Sequence, residues 1–153
     1  MKKLGKSSKK GFTLVELIVV LVILAVLAAM LVPALVGYID RAKKEKEFQA
    51  ASTVYAAAQA LATEDYGRGI KVADFGNSAK NSKFTKDEIY TLTGVTVNAI
   101  KYQMKGSTDN TIDAYTVEKI EIQFKDGESW YTYTVNDSTW GTADSATLGK
   151  TMS

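Results

Sequence analysis

The side chain whose chemistry most needs explaining is one carboxylate. Glu16 stands at the head of a run in which no residue from Leu17 to Ile39 is charged. A carboxylate beside an apolar helix start costs up to a few kcal/mol and demands a partner. The alternative is that it lies within a turn of an aqueous boundary and reaches it cheaply. Elsewhere the chemical repertoire is narrow. The 153 residues contain neither histidine nor cysteine. The commonest general base and transition-metal ligand is therefore missing, and disulfide, iron–sulfur and thiolate chemistry is excluded. Asp109, Asn110 and Asp113 are the right types to offer oxygens to calcium, a hard cation. Their spacing does not match an EF-hand loop, so a polar turn is the expected role and no metal or other cofactor is expected. The fifteen aromatics fall mostly where core or sheet packing needs them. Nothing here assembles into a catalytic constellation, and the chain does not read as an enzyme.

The elements around Glu16 are unusual. Five lysines (Lys2, Lys3, Lys6, Lys9 and Lys10) and no acid precede it. An ordinary secretory signal has a shorter apolar stretch, closed by a small-residue cleavage site. This run is longer and lacks that site. Residues 17–39 as a helix would extend about 35 Å, enough for a hydrocarbon core of roughly 30 Å. Lysines at its N-terminal end predict a single pass with the N-terminus in the cytoplasm. Without the leader, Lys plus Arg falls from 19 to 14 against 17 acids. A weakly acidic chain gives no reason to expect nucleic-acid binding.

Beyond the apolar run, residues 40–47 carry charges of both signs at helical spacing. Phe48, Ala51, Tyr55, Ala58 and Ala62 then follow a three-and-four repeat, predicting an amphipathic continuation. One helix is expected over about 13–64, ending near Asp65-Tyr66-Gly67. Residues 67–94 read as a connector, with Thr85-Lys-Asp-Glu88 as a capping box opening a short helix that Gly94 closes. From Val95 the pattern turns strand-like. Strands are expected through Ile100–Met104, Tyr115–Phe124 and Ser129–Val135, with a bulge near Glu118-Lys119 and a turn at Lys125–Glu128. The tail from Asn136, with Trp140 and Leu148, is expected either to wrap the sheet edge or to stay mobile.

Lys9-Lys10-Gly11-Phe12-Thr13-Leu14-Val15-Glu16-Leu17 followed by about twenty apolar residues resembles the type IV prepilin signature. The resemblance covers about residues 6–40. It implies cleavage between Gly11 and Phe12 by a prepilin peptidase, N-methylation of Phe12, and an assembly role for Glu16 paired with the Phe12 ammonium group of an adjacent subunit. Pro33 matches a proline the family commonly carries and is expected to kink or loosen the helix. Gly11 suits a scissile bond that an enzyme must approach closely. The implied partners are further copies of the chain in a helical homopolymer, the peptidase, an assembly ATPase, a membrane platform protein and, before assembly, the cytoplasmic membrane. The implied fold is α+β: a long N-terminal helix, transmembrane then amphipathic, packed on a three- to four-stranded antiparallel sheet. Its expected divisions are a leader 1–11, a filament-core helix 12–39, an amphipathic helix 40–64, the connector 67–94, and sheet with tail 95–153. The lack of cysteine is closer to Gram-positive pilins than to those that close this region with a disulfide. The expected function is the major subunit of a surface filament. The alternative is a pseudopilin of a type II secretion or competence system, which shares the N-terminal signature.

Overall fold

The structure is a computed structural model that describes residues 11–106 and 111–153. The chain separates into two units, residues 1–44 and residues 45–153. Helix α1, Leu14–Gly67, contributes to both. In the first unit, every described side chain from Gly11 onward is exposed.

The second unit has a conventional core. Along α1 it buries Ala51, Val54, Ala57, Ala58, Leu61 and Ala62. Four of these six are alanines, which combine high helix propensity with a surface smooth enough for a sheet to approach closely. The same face receives Ile100, Tyr102, Val117, Ile120, Ile122 and Tyr131. After two short 3-10 turns, Val72–Asp74 and Ser78–Lys80, helix α2 covers Lys86–Thr93. As expected, the Thr85 hydroxyl accepts from the Glu88 N–H, and Gly94 closes α2 at φ 68°.

The sheet has five strands, more than the three to four expected: β1 Ala99–Met104, β2 Val117–Gln123, β3 Trp130–Thr134, β4 Thr139–Ala143 and β5 Lys150–Thr151. All pairs are antiparallel, in the order β4-β3-β2-β1-β5. The extra strands come from the tail, whose short Thr- and Gly-rich runs carry too little alternation to read as strands. Between Gln103 and Met104 the partner on β2 jumps from Lys119 to Val117. Glu118 is thus the extra residue, where the apolar phase shift predicts a bulge. The Lys125–Glu128 turn forms, with Gly127 at φ 78°. Architecturally this is α+β and type IV pilin-like.

Three polar groups tie the second half of α1 to the connector and the sheet. The Gln59 amide donates to the Tyr115 carbonyl at 3.1 Å and accepts from the Val117 N–H at 2.9 Å. The Tyr131 hydroxyl donates to the Glu47 carboxylate. Asp65, 0% exposed, accepts from the Ser82 hydroxyl at 2.5 Å and from the N–H groups of Lys83 and Phe84, with Arg68 Nη1 at 3.2 Å. Removing one acceptor from such a node leaves several buried donors unpaired. Asp65→Ala should therefore destabilise the unit by about 3 kcal/mol and lower its melting temperature by roughly 10–20 °C. Thermal unfolding of the detergent-solubilised chain, followed by near-ultraviolet circular dichroism, checks this; an unchanged midpoint contradicts it.

Burial pushes the phenols of Tyr55, Tyr102, Tyr115 and Tyr131 upward. At Tyr131 the bond to Glu47 adds to the effect. A raised phenol holds its proton in the folded state beyond the point, near pH ~10, where an unfolded chain releases it. The stability involved is therefore complete below that pH and is lost as pH rises through the folded values. On alkaline titration, tyrosinate absorbance from these four should appear together with the loss of near-ultraviolet circular dichroism. Their ionisation in a chain that keeps its folded spectrum would contradict this.

Candidate functional site

Gly11, Phe12 and Thr13 precede α1 and are not helical. The first helical hydrogen bond runs from the Leu17 N–H to the Thr13 carbonyl at 3.3 Å, which makes Thr13 the N-cap. Glu16 then occupies the third helical position and folds back. Its Oε2 accepts from the Thr13 N–H and from the Thr13 hydroxyl, both at 2.8 Å. The same hydroxyl accepts from the Glu16 N–H at 3.3 Å. This is a reciprocal capping box, which satisfies donors that a helix start otherwise leaves open. A carboxylate in the first turn also meets the positive end of the helix dipole.

Glu16 therefore has a partner inside its own chain, one that sequence reasoning misses. The signal is present, because Thr13-Leu-Val-Glu16 repeats the Thr-x-x-Glu pattern that marks the helix start at Thr85–Glu88. At residue 16 the apolar run draws attention to the charge rather than to the cap.

Gly11 and Phe12 are adjacent, before the helix, and exposed, with none of the described residues packed on Gly11. The Phe12 side chain is 85% exposed. A Cβ built at Gly11 meets no atom within 4 Å. Among the described residues nothing gives a steric reason for glycine at residue 11. Pro33 lies inside α1, which continues through it, and it has no N–H to offer the Ala29 carbonyl one turn back. Lys9 and Lys10 lie outside the described residues, as do Asp109 and Asn110 of the calcium-type loop. The third member of that loop, Asp113, is exposed, with Lys105 Nζ at 3.9 Å. Among the described residues, no group of three or more acidic side chains is placed to hold a metal ion.

The surface behind Glu16 is the other half of the site. Leu17, Ile18, Val19, Val20 and Leu21 begin a continuous exposed apolar surface that reaches Ile39. Among the described residues, one helix is long and apolar enough to cross a membrane, and it is α1. An apolar surface of this extent requires lipid or protein against it. The arrangement thus offers one exposed peptide bond, one carboxylate held at a helix start, and an uncovered apolar rod.

Residues 6–32 match the family described as the prokaryotic N-terminal methylation motif. No curated protein and no solved structure matches the chain.

The capping box can be tested apart from any partner. Thr13→Val removes the hydroxyl and keeps the backbone N–H. Loss of an N-cap costs about 1 kcal/mol, so the Glu16 and Leu17 amides should exchange with solvent roughly 5-fold faster in detergent micelles. Unchanged exchange would mean that the Thr13 hydroxyl does not hold the helix start.

Proposed function

We propose that this chain, which carries the type IV prepilin signature, is the major structural subunit of a type IV pilus. The signature itself marks a pilin-like or pseudopilin precursor, a structural protein processed by prepilin peptidase. The further reading is a surface filament built from many copies of this chain. The observation that carries it is the uncovered apolar helix with one carboxylate in its first turn.

In this reading the peptidase cuts the Gly11–Phe12 bond on the cytoplasmic side and methylates the new Phe12 amino group. The cut falls ahead of the apolar segment, so the helix is retained. The exposed, non-helical Gly11–Phe12 segment supports this, since an enzyme can grip it as an extended strand. The subunit waits in the membrane with the N-terminus inside. An assembly ATPase and a platform protein then move it into the filament, where neighbouring helices replace lipid around residues 12–39. Pro33 supplies a place where the helix loosens as it packs.

Glu16 changes partners in this process. In the lone chain the Thr13 cap satisfies it. In the filament core it faces the Phe12 ammonium of an adjacent subunit. Leaving either charge unpaired in a low-dielectric core costs something like 3–5 kcal/mol. The pair thereby fixes the register of one helix against the next.

The capping box sharpens the test of this pairing. Glutamine serves at the third helical position of a capping box as glutamate does, but it carries no charge. Glu16→Gln should insert, be cut at Gly11–Phe12 and keep its helix start, yet yield no filaments by electron microscopy. Wild-type filament yield in this variant would remove the ion-pair role. Intact-mass and N-terminal analysis of the exported wild-type protein should show a chain that begins at Phe12 with one added methyl group. A chain that still begins at Met1 would overturn the reading as a whole.

A further inference from the structure

Glu121 is, with Asp65, one of the two carboxylates fully buried among the described residues. It lies on the central strand β2 and is 0% exposed. Its neighbours Ile120 and Ile122 join the core against α1, so Glu121 points to the opposite face of the sheet. An outward-facing carboxylate on a sheet is normally solvated. This one is covered by the chain between β4 and β5. Its Oε2 accepts from the N–H groups of Thr147 and Leu148 at 2.8 and 2.9 Å, and its Oε1 accepts from the Thr147 hydroxyl at 2.5 Å. Lys119 Nζ lies 3.5 Å from Oε1 and donates to the Thr147 hydroxyl at 3.1 Å. Burial pushes the Glu121 carboxyl up. The Thr147 hydroxyl, the Leu148 and Thr147 N–H groups and the Lys119 charge outweigh it, and the group stays below the usual carboxylate range.

The topology explains why this contact matters. β4 and β5 occupy opposite edges of the sheet. The segment between them, residues 144–149, must cross four strand spacings, about 19 Å. The seven steps from Ala143 to Lys150 reach about 24 Å when fully extended, so the crossing has little slack. Halfway over, Glu121 is where it is held. Past the crossing, β5 pairs with β1 through only Lys101↔Thr151 and Tyr102↔Lys150. The Met152 N–H then donates to the Ile100 carbonyl at 2.9 Å, and the Ser153 hydroxyl to the Gly76 carbonyl at 2.8 Å. The Met152 side chain is buried in the core, and the Lys86 N–H donates to the Ser153 carbonyl at 2.9 Å, so beyond Glu121 the segment is held by two ladder pairs, one core side chain and a few end contacts.

We propose that residues 144–153 form a latched strap, a segment that opens as one unit while the rest of the domain stays folded, with the Glu121 carboxylate as the latch. Opening frees the outer face of the sheet and the edge of β1, which then presents unpaired backbone groups to any other strand.

Hydrogen exchange on the full-length chain in detergent, read by mass spectrometry, tests this. In Glu121→Ala, amides within 144–152 should lose protection by on the order of 10-fold or more. Those of Val54–Leu61 on α1 and of Tyr131 on β3 should stay within about 2-fold. Thr147→Val, which removes only the hydroxyl, should show the same regional pattern with a smaller loss. Should Glu121→Ala not fold, Thr147→Val decides by the same comparison. Unchanged protection in 144–152, or a loss spread evenly over the domain, overturns the proposal.

Discussion

Asp65 sits where the long helix gives way to everything built upon it, and the folded unit depends on how its carboxylate is satisfied. Helix ends leave carbonyls open and loops leave N–H groups open. Here one buried side chain at the last turn of α1 gathers the Ser82 hydroxyl and the Lys83 and Phe84 N–H groups. That places Phe84 in the core, where its ring stacks on Phe75 at 4.6 Å and meets Tyr102 of β1 edge-on at 4.8 Å. The connector is therefore not a loose link between helix and sheet. It is fastened at one end to the helix and at the other to the first strand. Gly76 belongs to the same arrangement. At φ 75° it adopts a backbone that other residues resist, and an added Cβ would come within 2.7 Å of the Ser153 hydroxyl oxygen.

A second constraint governs the first unit. Among its described residues none is buried, and the apolar side chains await surroundings of lipid or protein. The one charge among them is held close by the backbone. A capped carboxylate is less costly to keep near lipid than a bare one, because donors that would otherwise be open are the ones it satisfies. The same group that could orient an assembly contact thus first stabilises the helix start. The two roles differ in kind: the cap needs an acceptor, whereas the contact with an ammonium needs a charge.

Much of this is legible in the sequence because the signals are local. The apolar run, the three-and-four repeat from Phe48 to Ala62, the Thr85–Glu88 box, the Gly94 stop and the Glu118 bulge each lie within a few residues of their cause. What escapes is non-local or masked. Asp65 reads as part of a helix stop, because its partners lie 17 to 19 residues away in a stretch that looks like plain loop. Glu121 looks like the ordinary polar member of an alternating strand, and nothing nearby says that the tail returns to cover it. Trp140 is the means of holding the sheet edge that the sequence suggests. It does pack on Tyr133 at 5.0 Å, but that is the β4 edge; the β1 edge is held by the strap. At Thr13 the pattern is in plain view but overshadowed by its apolar setting.

The strand order also separates local pairings from distant ones. β1 to β4 form a meander in which each strand pairs with the one just made, and such short-range contacts form quickly. β5 is different. It joins β1 across 48 residues, from Tyr102 to Lys150, over a segment that crosses the intervening strands. Closure of this sheet therefore needs a contact of long sequence separation, the kind that forms slowly. Until it occurs, β1 is an open edge on an otherwise finished sheet. A chain whose last strand is unpaired carries that open edge, and crowding of many such chains in one place would favour wrong pairing there.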